Sequence, residues 1–250
     1  FFFISFSSFA QNWQMIWSEE FNYTGLPDST KWTNEVGLIR NNELQYYTKN
    51  RIENNWVSNG QLKIIGRKEA YKGSAYTSAS ITTDQQFTCT YGKIEANIKV
   101  PIGQGLWPAF WMLGQNIWQI GWPKCGEIDI MEHINNESKI YGTTHWNNSG
   151  WTYNTGNIIT PVTGLHEYTV EWDSLSVRFI MDGVQYHQHN INSANGSLDE
   201  FTKSFFMLLN VAVGGNWPGY PDATTVFPVQ MDVDYVRVWQ KNSAISSATA

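Results

Sequence analysis

Three carboxylates stand close together in the segment CGEIDIMEH at 125–133. Side chains alternate between the two faces of a β-strand, so Glu127 and Asp129 share one face while Ile128 takes the other. Charge beside isoleucine and methionine is costly to bury unless it is paired or neutralised by a proton. The segment therefore indicates chemistry by carboxyl groups. A structural acidic cluster or a calcium site is the alternative, although calcium prefers flexible loops that supply backbone carbonyls.

The position of the third acid, Glu132, decides whether it can act together with Glu127. It lies five residues further on, so a regular strand would turn it to the opposite face. A β-bulge around Ile130–Met131 would return it, with the two glutamate backbones ~13 Å apart at ~3.3 Å per residue. Side chains that lean inward would bring the carboxyls to ~5–5.5 Å, as in retaining glycosidases, whereas inverting enzymes need ~6.5–9.5 Å. The spacing favours retention.

Composition narrows the possible classes of protein. The 250 residues suit one large β domain with a substantial core. A net charge of −6 with only 16 lysines and arginines argues against a nucleic-acid or anionic-membrane partner. The 13 tryptophans would either stack on sugar rings in a groove or fill the core of a β-sandwich.

Short strand-like runs separated by turn residues predict a sandwich or jelly roll. The runs are 61–68, 78–83, 91–100, 127–133, 139–146, 166–173, 176–189, 205–213 and 232–240. Within one of them, Asp182-Gly183 is a two-residue hairpin signal. The best candidate for a single helical turn is Ser197–Lys203, with Ser197 or Asp199 as its cap.

The two ends of the sequence differ from the rest. FFFISFSSFA at 1–10 has the character of a secretory signal-peptide remnant cut before Gln11, with a first core strand as the alternative. This run is too short to span a bilayer. Residues 11–241 would form the catalytic domain, and the Ser/Ala-rich residues 242–250 a flexible tail. We therefore expect an exported, soluble protein without a membrane partner.

The two cysteines, Cys89 and Cys125, have no CxxC spacing that would indicate a metal site. Export would permit a disulfide, but a single pair in a domain of this size is not a disulfide scaffold. Thiol chemistry two residues before a catalytic acid would also interfere. We expect two reduced, buried thiols.

The acid segment GEIDIMEH resembles the ExDxxE signature of glycoside hydrolase family 16 in its bulged, laminarinase-like form. The resemblance extends over most of the chain, from Trp13 to Gln240. The other matching motifs are NELQYYT (42–48), YGKIEANIKVP (91–101), GLWPAFWMLG (105–114), GTTHW (142–146), VGGNWPGYPDATTVFP (213–228) and VDYVRVW (233–239). The resemblance implies an all-β jelly-roll sandwich of two antiparallel sheets with a concave substrate groove.

The same resemblance implies roles for the acids. Glu127 would be the nucleophile, Glu132 the general acid and later the base, and Asp129 would assist them. Charge on Glu127 and Asp129 would raise the pKa of Glu132 and keep it protonated, and the three acids would titrate as a coupled set. The GTTHW match makes His145 a partner of an acid or of a sugar hydroxyl. His133, next to Glu132, should face away as a structural residue.

Four tryptophans are candidate platforms for glucosyl units, each with a core position as the alternative. Trp107 and Trp111 are four residues apart and so share one strand face. Trp122 precedes the acid-bearing strand. Trp217 lies in the glycine-rich loop GGNWPG, where the backbone can approach a ligand closely.

Two asparagines and two departures from the family pattern also bear on substrate binding. Asn41 and Asn42 match a position at which the family contacts sugar hydroxyls, with a plain turn as the alternative. Ser80 and Asn97 stand where the resemblance leads us to expect arginine. If those arginines brace the substrate, binding of plain β-1,3-glucan is weakened here.

A structural calcium ion is a further implication of the resemblance. Glu20, Gly60 and Asp234 match positions that hold an ion on the convex side, with two backbone carbonyls and one carboxylate as ligands. Asp234 capping a strand end is the alternative.

These observations predict a secreted, monomeric, retaining endo-β-1,3-glucanase that acts on β-glucan polysaccharide and needs no cofactor for its chemistry. Mixed-linkage β-1,3-1,4-glucan or an algal galactan are alternative substrates, because bulged ExDxxE segments serve several specificities. The motifs WPAFWML and GGNWPGYPDATTVFP favour laminarin. A non-catalytic lectin-like module of the same fold would keep the tryptophans but would not need all three acids.

Overall fold

The computed structural model describes residues 13–192 and 198–241. The predicted signal-peptide remnant at 1–10 and the tail at 242–250 lie outside these residues. The described chain folds into two sheets that pack face to face, as the jelly-roll prediction requires. All strand pairs are antiparallel except one parallel pair at an edge, between Gln45–Tyr47 and Ser74–Ser78.

The larger sheet, called the outer sheet, has ten strands in the order β15-β14-β13-β8-β17-β5-β6-β3, with β1 beside β17 and β4 beside β5. Its strands are β1 Trp13–Glu19, β3 Gln45–Tyr47, β4 Asn55–Ser58, β5 Gln61–Tyr71, β6 Ser74–Ser78, β8 Gly92–Lys99, β13 His166–Trp172, β14 Ser176–Met181, β15 Val184–Asn190 and β17 Val229–Lys241.

The smaller sheet, called the inner sheet, has seven strands in the order β12-β11-β10-β9-β16-β7-β2. Its strands are β2 Thr33–Asn34, β7 Ser80–Thr82, β9 Leu106–Gly114, β10 Glu127–Glu132, β11 Lys139–Asn147, β12 Trp151–Ile159 and β16 Phe205–Val213. Because β10 lies among the central strands, its backbone is hydrogen-bonded on both sides, to β9 and β11.

One continuous hydrophobic core fills the space between the sheets. The outer sheet contributes side chains such as Ile94 and Val236, and the inner sheet contributes Phe110 and Met207, all with no exposed surface. In β8 the core side chains alternate with polar ones, as the two-residue period of a half-buried strand predicts, whereas β16 is buried along its whole length. The second face of the inner sheet carries a smaller apolar cluster, which includes Trp111, Phe206 and Leu208.

Two short predicted features have different outcomes. Asp182 and Gly183 join β14 to β15 with φ of 49° and 78°, so the hairpin prediction is confirmed as a turn with two left-handed residues. A 3-10 helix spans Asp199–Thr202 inside the predicted helical turn, while Ser197 lies outside the described residues. Asp199 is the first residue of that helix and not its cap, so the capping prediction is wrong for Asp199.

The sequence reading did not identify several elements, which are β1, β2, β4, β12 and a four-residue α-helix, α1, at Ile117–Ile120. No helix within residues 13–192 and 198–241 has the length and apolar character needed to cross a membrane.

The three residues of the predicted calcium site meet at one junction of the outer sheet. β5 pairs with β17 up to Val233, and β1 pairs with the same edge of β17 from Val236 onward. Asp234 lies in the gap between these two pairings, Glu20 directly follows β1, and Gly60 directly precedes β5.

The chemistry of this junction suits a weak oxygen site. The Glu20 carboxylate accepts two hydrogen bonds from Arg237, at 2.9 and 2.8 Å, so its backbone carbonyl is the group left for an ion. The Asp234 carboxylate would add the negative charge that calcium prefers. We propose that the carbonyls of Glu20 and Gly60 and the carboxylate of Asp234 hold a calcium ion that ties together the three strands.

Removal of calcium with EDTA should lower the melting temperature by a few degrees, because an ion that binds only the folded state stabilises it. Asp234→Asn should lower the melting temperature and abolish the response to EDTA. Asp232→Asn, on the same strand and the same face two residues away, is the control and should respond as the wild type does. A wild-type melting curve that EDTA leaves unchanged would contradict the ion.

Candidate active site

A β-bulge in β10 sets the geometry of the acids. The pairing of β10 with β9 shifts register between Asp129 and Met131, and the pairing with β11 shifts between Asp129 and Glu132. Ile130 is the extra residue, and both Ile130 and Met131 point into the core between the sheets. The bulge predicted at Ile130–Met131 is therefore confirmed, and it returns Glu132 to the face of Glu127.

The three acids line one wall of a cavity of about 280 Å³ on the free face of the inner sheet. The cavity residues are Arg40, Asn41, Glu43, Trp107, Ala109, Trp111, Leu113, Ile117, Trp122, Glu127, Asp129, Glu132 and Asn210. Four of the seven predicted substrate-binding residues are in this set. Two of the other three, His145 and Trp217, contact the lining residues Asp129 and Trp107, whereas Asn42 bonds Asn216, which does not line the cavity.

Burial keeps protons on the acids. It raises the pKa of Glu127 and of Glu132 to about 8, and the charge of neighbouring Asp129 is the second cause for both. Burial also raises the pKa of Asp129 well above its ordinary value, and a hydrogen bond with Glu127 opposes this rise. Because the charge of one buried acid raises the pKa of the others, the three carboxyls share protons as one set. The pKa of Glu132 is raised as predicted, but burial is the larger cause and the charge of Asp129 the second.

Two of the predicted sugar platforms instead hold the acids through their indole N–H groups. Trp122 Nε1 donates a hydrogen bond to Glu127 Oε2 at 3.1 Å, and Trp107 Nε1 donates to Glu132 Oε1 at 2.9 Å. Each bond favours the carboxylate form of its acid. Because the Trp122 side chain is 46% exposed, its ring can still meet a ligand while its N–H holds the acid.

His145 stands across from the nucleophile candidate. It pairs directly with Glu127 in the register of β10 and β11. Its Nε2 lies 3.1 Å from Asp129 Oδ2 and 3.6 Å from Glu127 Oε1, and its Nδ1 accepts a hydrogen bond from Trp151 Nε1 at 2.9 Å. His145 therefore lies beside two acids, as predicted, although its Nε2 makes no well-aligned hydrogen bond with Asp129 Oδ2.

Glu127, Asp129 and His145 are also side chains of the types that bind metal ions. Within the described residues, Glu127, Asp129 and His145 form the one group of three side chains whose ligating atoms lie within 4.8 Å of one another. The hydrogen bond from Trp151 occupies the lone pair of His145 Nδ1, which leaves the ring proton on Nε2, the nitrogen nearest the acids. A protonated nitrogen cannot ligate a metal, so this arrangement suits proton chemistry better than metal binding.

Trp111 forms the floor of the cavity and is not an open platform. Its side chain is only 7% exposed, and the Arg40 guanidinium lies 4.9 Å from the ring centre. Its Nε1 donates to Asn210 Oδ1 at 2.7 Å. The predicted position of Trp111 on the face of Trp107 is confirmed, but the guanidinium covers the ring face on which a sugar would stack.

A buried polar chain supports this floor from below. Asn210 donates to the Tyr47 hydroxyl at 3.0 Å, and that hydroxyl donates to Glu43 Oε2 at 3.2 Å. Gln45 donates to the same Glu43 oxygen at 2.6 Å. Burial raises the pKa of Glu43, while Arg40 opposes the rise. Strands from three distant parts of the sequence are joined here, which is why no local motif indicated the network.

The positively charged side chain in the cavity lining is Arg40, which the sequence reading did not consider. Arg40 forms an ion pair with Glu35, and the Ser80 hydroxyl donates to the same carboxylate at 2.6 Å. Ser80, where arginine was expected, thus supports an arginine that comes from another segment. Asn97 lies on β8 of the outer sheet, away from the cavity, so an effect of Asn97 on substrate contacts is not supported.

Asn41 and Asn42 form a turn at the rim. Both have left-handed backbones, with φ of 56° and 54°. Asn41 lines the cavity and donates to Glu43 Oε1 at 3.3 Å, while Asn42 donates to Asn216 Oδ1 at 2.8 Å. The turn and the cavity position occur together, so the two alternatives do not exclude each other.

Aromatic rings border the acids on both sides. Beyond Glu132, the rings of Trp107 and Tyr141 lie 5.5 and 5.0 Å from Trp217, which is 40% exposed. Beyond Glu127, a second group of rings packs around His145 with centroid separations of 5.6 to 6.1 Å. Its members are Trp122, Trp151 and Tyr153. Neither Trp151, Tyr153 nor Tyr141 was identified from the sequence.

His133 and the two cysteines are buried residues without a part in the site, as predicted. His133 is fully buried, and its Nε2 bonds the carbonyl of Glu137 at 2.8 Å on the core side of β10. Cys89 and Cys125 are free and buried, and burial raises the pKa of both thiols to about 12. Thiols with such a high pKa are poor nucleophiles.

The comparisons with known proteins agree with this geometry. The chain is 41% identical to a β-glucanase from Rhodothermus marinus over 92% of its length and 86% of the relative. It is 40% identical to the clotting factor G alpha subunit of Tachypleus tridentatus, over 96% of the chain but only 36% of that relative.

The fold matches the solved catalytic domain of an endo-1,3-β-glucanase (laminarinase) from Thermotoga petrophila RKU-1. The TM-score is 0.84 at 40% identity, over 93% of this chain and 99% of that one. The model of glycosyl hydrolases family 16 matches residues 30–237, most of the chain. With the bulged acid strand and the two-sheet sandwich in place, the chain belongs to glycosyl hydrolase family 16.

Proposed function

We propose that this protein is a retaining endo-β-1,3-glucanase that cleaves internal bonds of laminarin-like β-glucan. The observation that carries the proposal is the bulge that places Glu127, Asp129 and Glu132 together on one buried cavity wall. The printed functions of the β-glucanase and laminarinase relatives support the substrate class. Aromatic rings on both sides of the acids support an endo mode, because an internal bond needs sugar units held on each side.

In the first step of the proposed mechanism, an ionised Glu127 attacks the anomeric carbon. Glu132 gives its proton to the glycosidic oxygen, so the leaving chain departs as a neutral alcohol. The bond from carbon to oxygen breaks as the bond from carbon to Glu127 forms. The N–H of Trp122 stabilises the Glu127 carboxylate before the attack, and burial keeps the proton on Glu132.

In the second step, Glu132 is a carboxylate and acts as a base. It takes a proton from a water molecule, whose oxygen attacks the anomeric carbon and releases Glu127. The Trp107 N–H stabilises this charged state of Glu132. Two inversions restore the original configuration, and Glu132 regains the proton that it gave away.

The substrate also bears on where the enzyme works. Glucan polymers do not cross membranes, so we place the enzyme outside the cytoplasm, in line with the signal-like residues 1–10. Activity confined to the cytosolic fraction of the producing cell would contradict this placement.

The function is tested by product analysis on laminarin, lichenan, agarose and carrageenan. We expect laminarin to give a ladder of intermediate oligosaccharides, with β-anomers released first when the reaction is followed by NMR. Preferred cleavage of agarose or carrageenan would show a galactan specificity. Release of α-anomers first would exclude double displacement.

Glu127→Ser should reduce hydrolysis by more than about 10⁴-fold, because a covalent intermediate can no longer form. The circular dichroism spectrum and laminarin binding should be unchanged. With an activated aryl laminarioside and azide, this variant should give the α-glycosyl azide by direct displacement. Glu132→Ala should give the β-glycosyl azide from its glycosyl-enzyme. The reverse stereochemistry would exchange the two roles.

The pH profile should have a basic limb near pH 8, since burial and Asp129 raise the pKa of Glu132 to about 8. A general acid works only while protonated, so kcat/KM on laminarin should fall about ten-fold per pH unit above that value. An aryl laminarioside with a good leaving group needs no such proton and should lack this limb. Glu132→Ala should retain far more activity on the aryl substrate than on polymer. Equal basic limbs on both substrates would exclude Glu132 as the acid.

A further inference from the structure

The indole of Trp151 makes a contact with His145 that the proposed mechanism does not use. Trp151 is the first residue of β12, at the edge of the inner sheet, and His145 lies on the neighbouring β11. Trp151 Nε1 lies 2.9 Å from His145 Nδ1, and the two ring planes are inclined by 31°. The opposite ring nitrogen of His145 faces the acids.

The direction of this hydrogen bond fixes the position of the ring proton. An indole N–H can only donate, so Nδ1 of His145 must accept through its lone pair. The single N–H of a neutral imidazole is then on Nε2, which lies 3.1 Å from Asp129 Oδ2 and 3.6 Å from Glu127 Oε1. In the other tautomer, the N–H at His145 Nδ1 would face the N–H of Trp151. The lone pair of His145 Nε2 would then face carboxylate oxygens.

The N–H at His145 Nε2 faces a carboxylate oxygen that needs a donor. Asp129 Oδ2 is buried, and among the described residues it has no hydrogen-bond partner with good alignment. The proton on His145 Nε2 is the nearest donor, so a small rotation of the imidazole would bring it onto this oxygen or onto Glu127. A donor aimed at these two carboxyls favours their charged form, which the nucleophile requires.

We propose that Trp151 is a positioning residue that holds His145 in the Nε2–H tautomer, so that the imidazole donates to the acid pair. This inference rests on the proposed function only where it concerns the rate. Trp122 and Tyr153 pack against His145 from other sides and restrict its rotation, but neither has a bond to Nδ1.

The test is Trp151→Phe, which keeps an aromatic ring and removes the donor. The protein has five histidines, so ¹⁵N-histidine labelling gives few signals, and His145→Gln assigns the signal of interest. In the wild type we expect the NMR signature of a proton on Nε2, and in Trp151→Phe a mixture of tautomers. We expect kcat on laminarin to fall about ten-fold in Trp151→Phe. KM should stay within about two-fold of the wild-type value, because the substrate can still stack on the phenylalanine ring.

Trp118→Phe is the matched control. Trp118 is 75% exposed on α1, and its N–H bonds Asp84 instead of a histidine. The same chemical change there should alter neither the His145 signal nor kcat. An equal loss in both variants would mean that the effect of Trp151→Phe is not specific.

A double-mutant cycle separates positioning from simple structural support. The amide side chain introduced by His145→Gln has no tautomers, so Trp151→Phe should cost little extra in that background. Additive losses in kcat would overturn the proposal. So would a proton on Nδ1 in the wild type, a His145 signal unchanged by Trp151→Phe, or a tautomer shift without loss of kcat. The NMR result needs no substrate, so it stands even if the enzyme does not cleave laminarin.

Discussion

The irregular register of β10 is the constraint on which the rest of the site depends. A regular strand would direct Glu132 into the hydrophobic core, where burial of its charge would be costly. One extra residue, Ile130, moves Glu132 to the cavity and sends two successive apolar side chains inward. Because β10 is hydrogen-bonded on both sides, the position of the bulge is fixed by β9 and β11 and cannot slip freely.

Burial of three carboxyls has a free-energy cost, and the site offsets it in two ways. Protons are shared within the set, since burial raises the pKa of each acid. Neutral N–H donors face the carboxylates that remain, with Trp122 on Glu127 and Trp107 on Glu132. Arg40, the permanent cation in the cavity lining, forms its ion pair with Glu35 and not with the three acids. A cation in direct contact would ionise Glu132 and remove the proton that the chemistry needs.

Sequence patterns predicted the features that depend on local periodicity. The run 205–213 coincides with β16, the turn Asp182-Gly183 is a hairpin, and the spacing of the acids required a bulge that the structure contains. These succeed because alternation and turn chemistry are short-range properties of the chain.

Features that depend on contacts between distant segments were not predictable in the same way. β12 was not predicted because its residues are exposed or half-buried along the whole strand and show no apolar alternation. Arg40 is held at the cavity by Glu35, which Ser80 supports, and these residues come from separate segments. A tryptophan in a motif indicates a ring near the substrate, but the sequence does not say where its N–H points. The roles of Trp107 and Trp122 toward the acids therefore required coordinates.

Both catalytic glutamates accept a hydrogen bond from an indole, a donor that does not titrate. An indole nitrogen neither releases nor accepts a proton at any pH at which the protein is folded, unlike a lysine, a histidine or a tyrosine. The hydrogen bonds from Trp107 and Trp122 therefore stabilise the carboxylates without adding a titrating group that could compete for the catalytic proton. The proton that Glu132 gives to the departing sugar chain is regained from the water that completes the turnover.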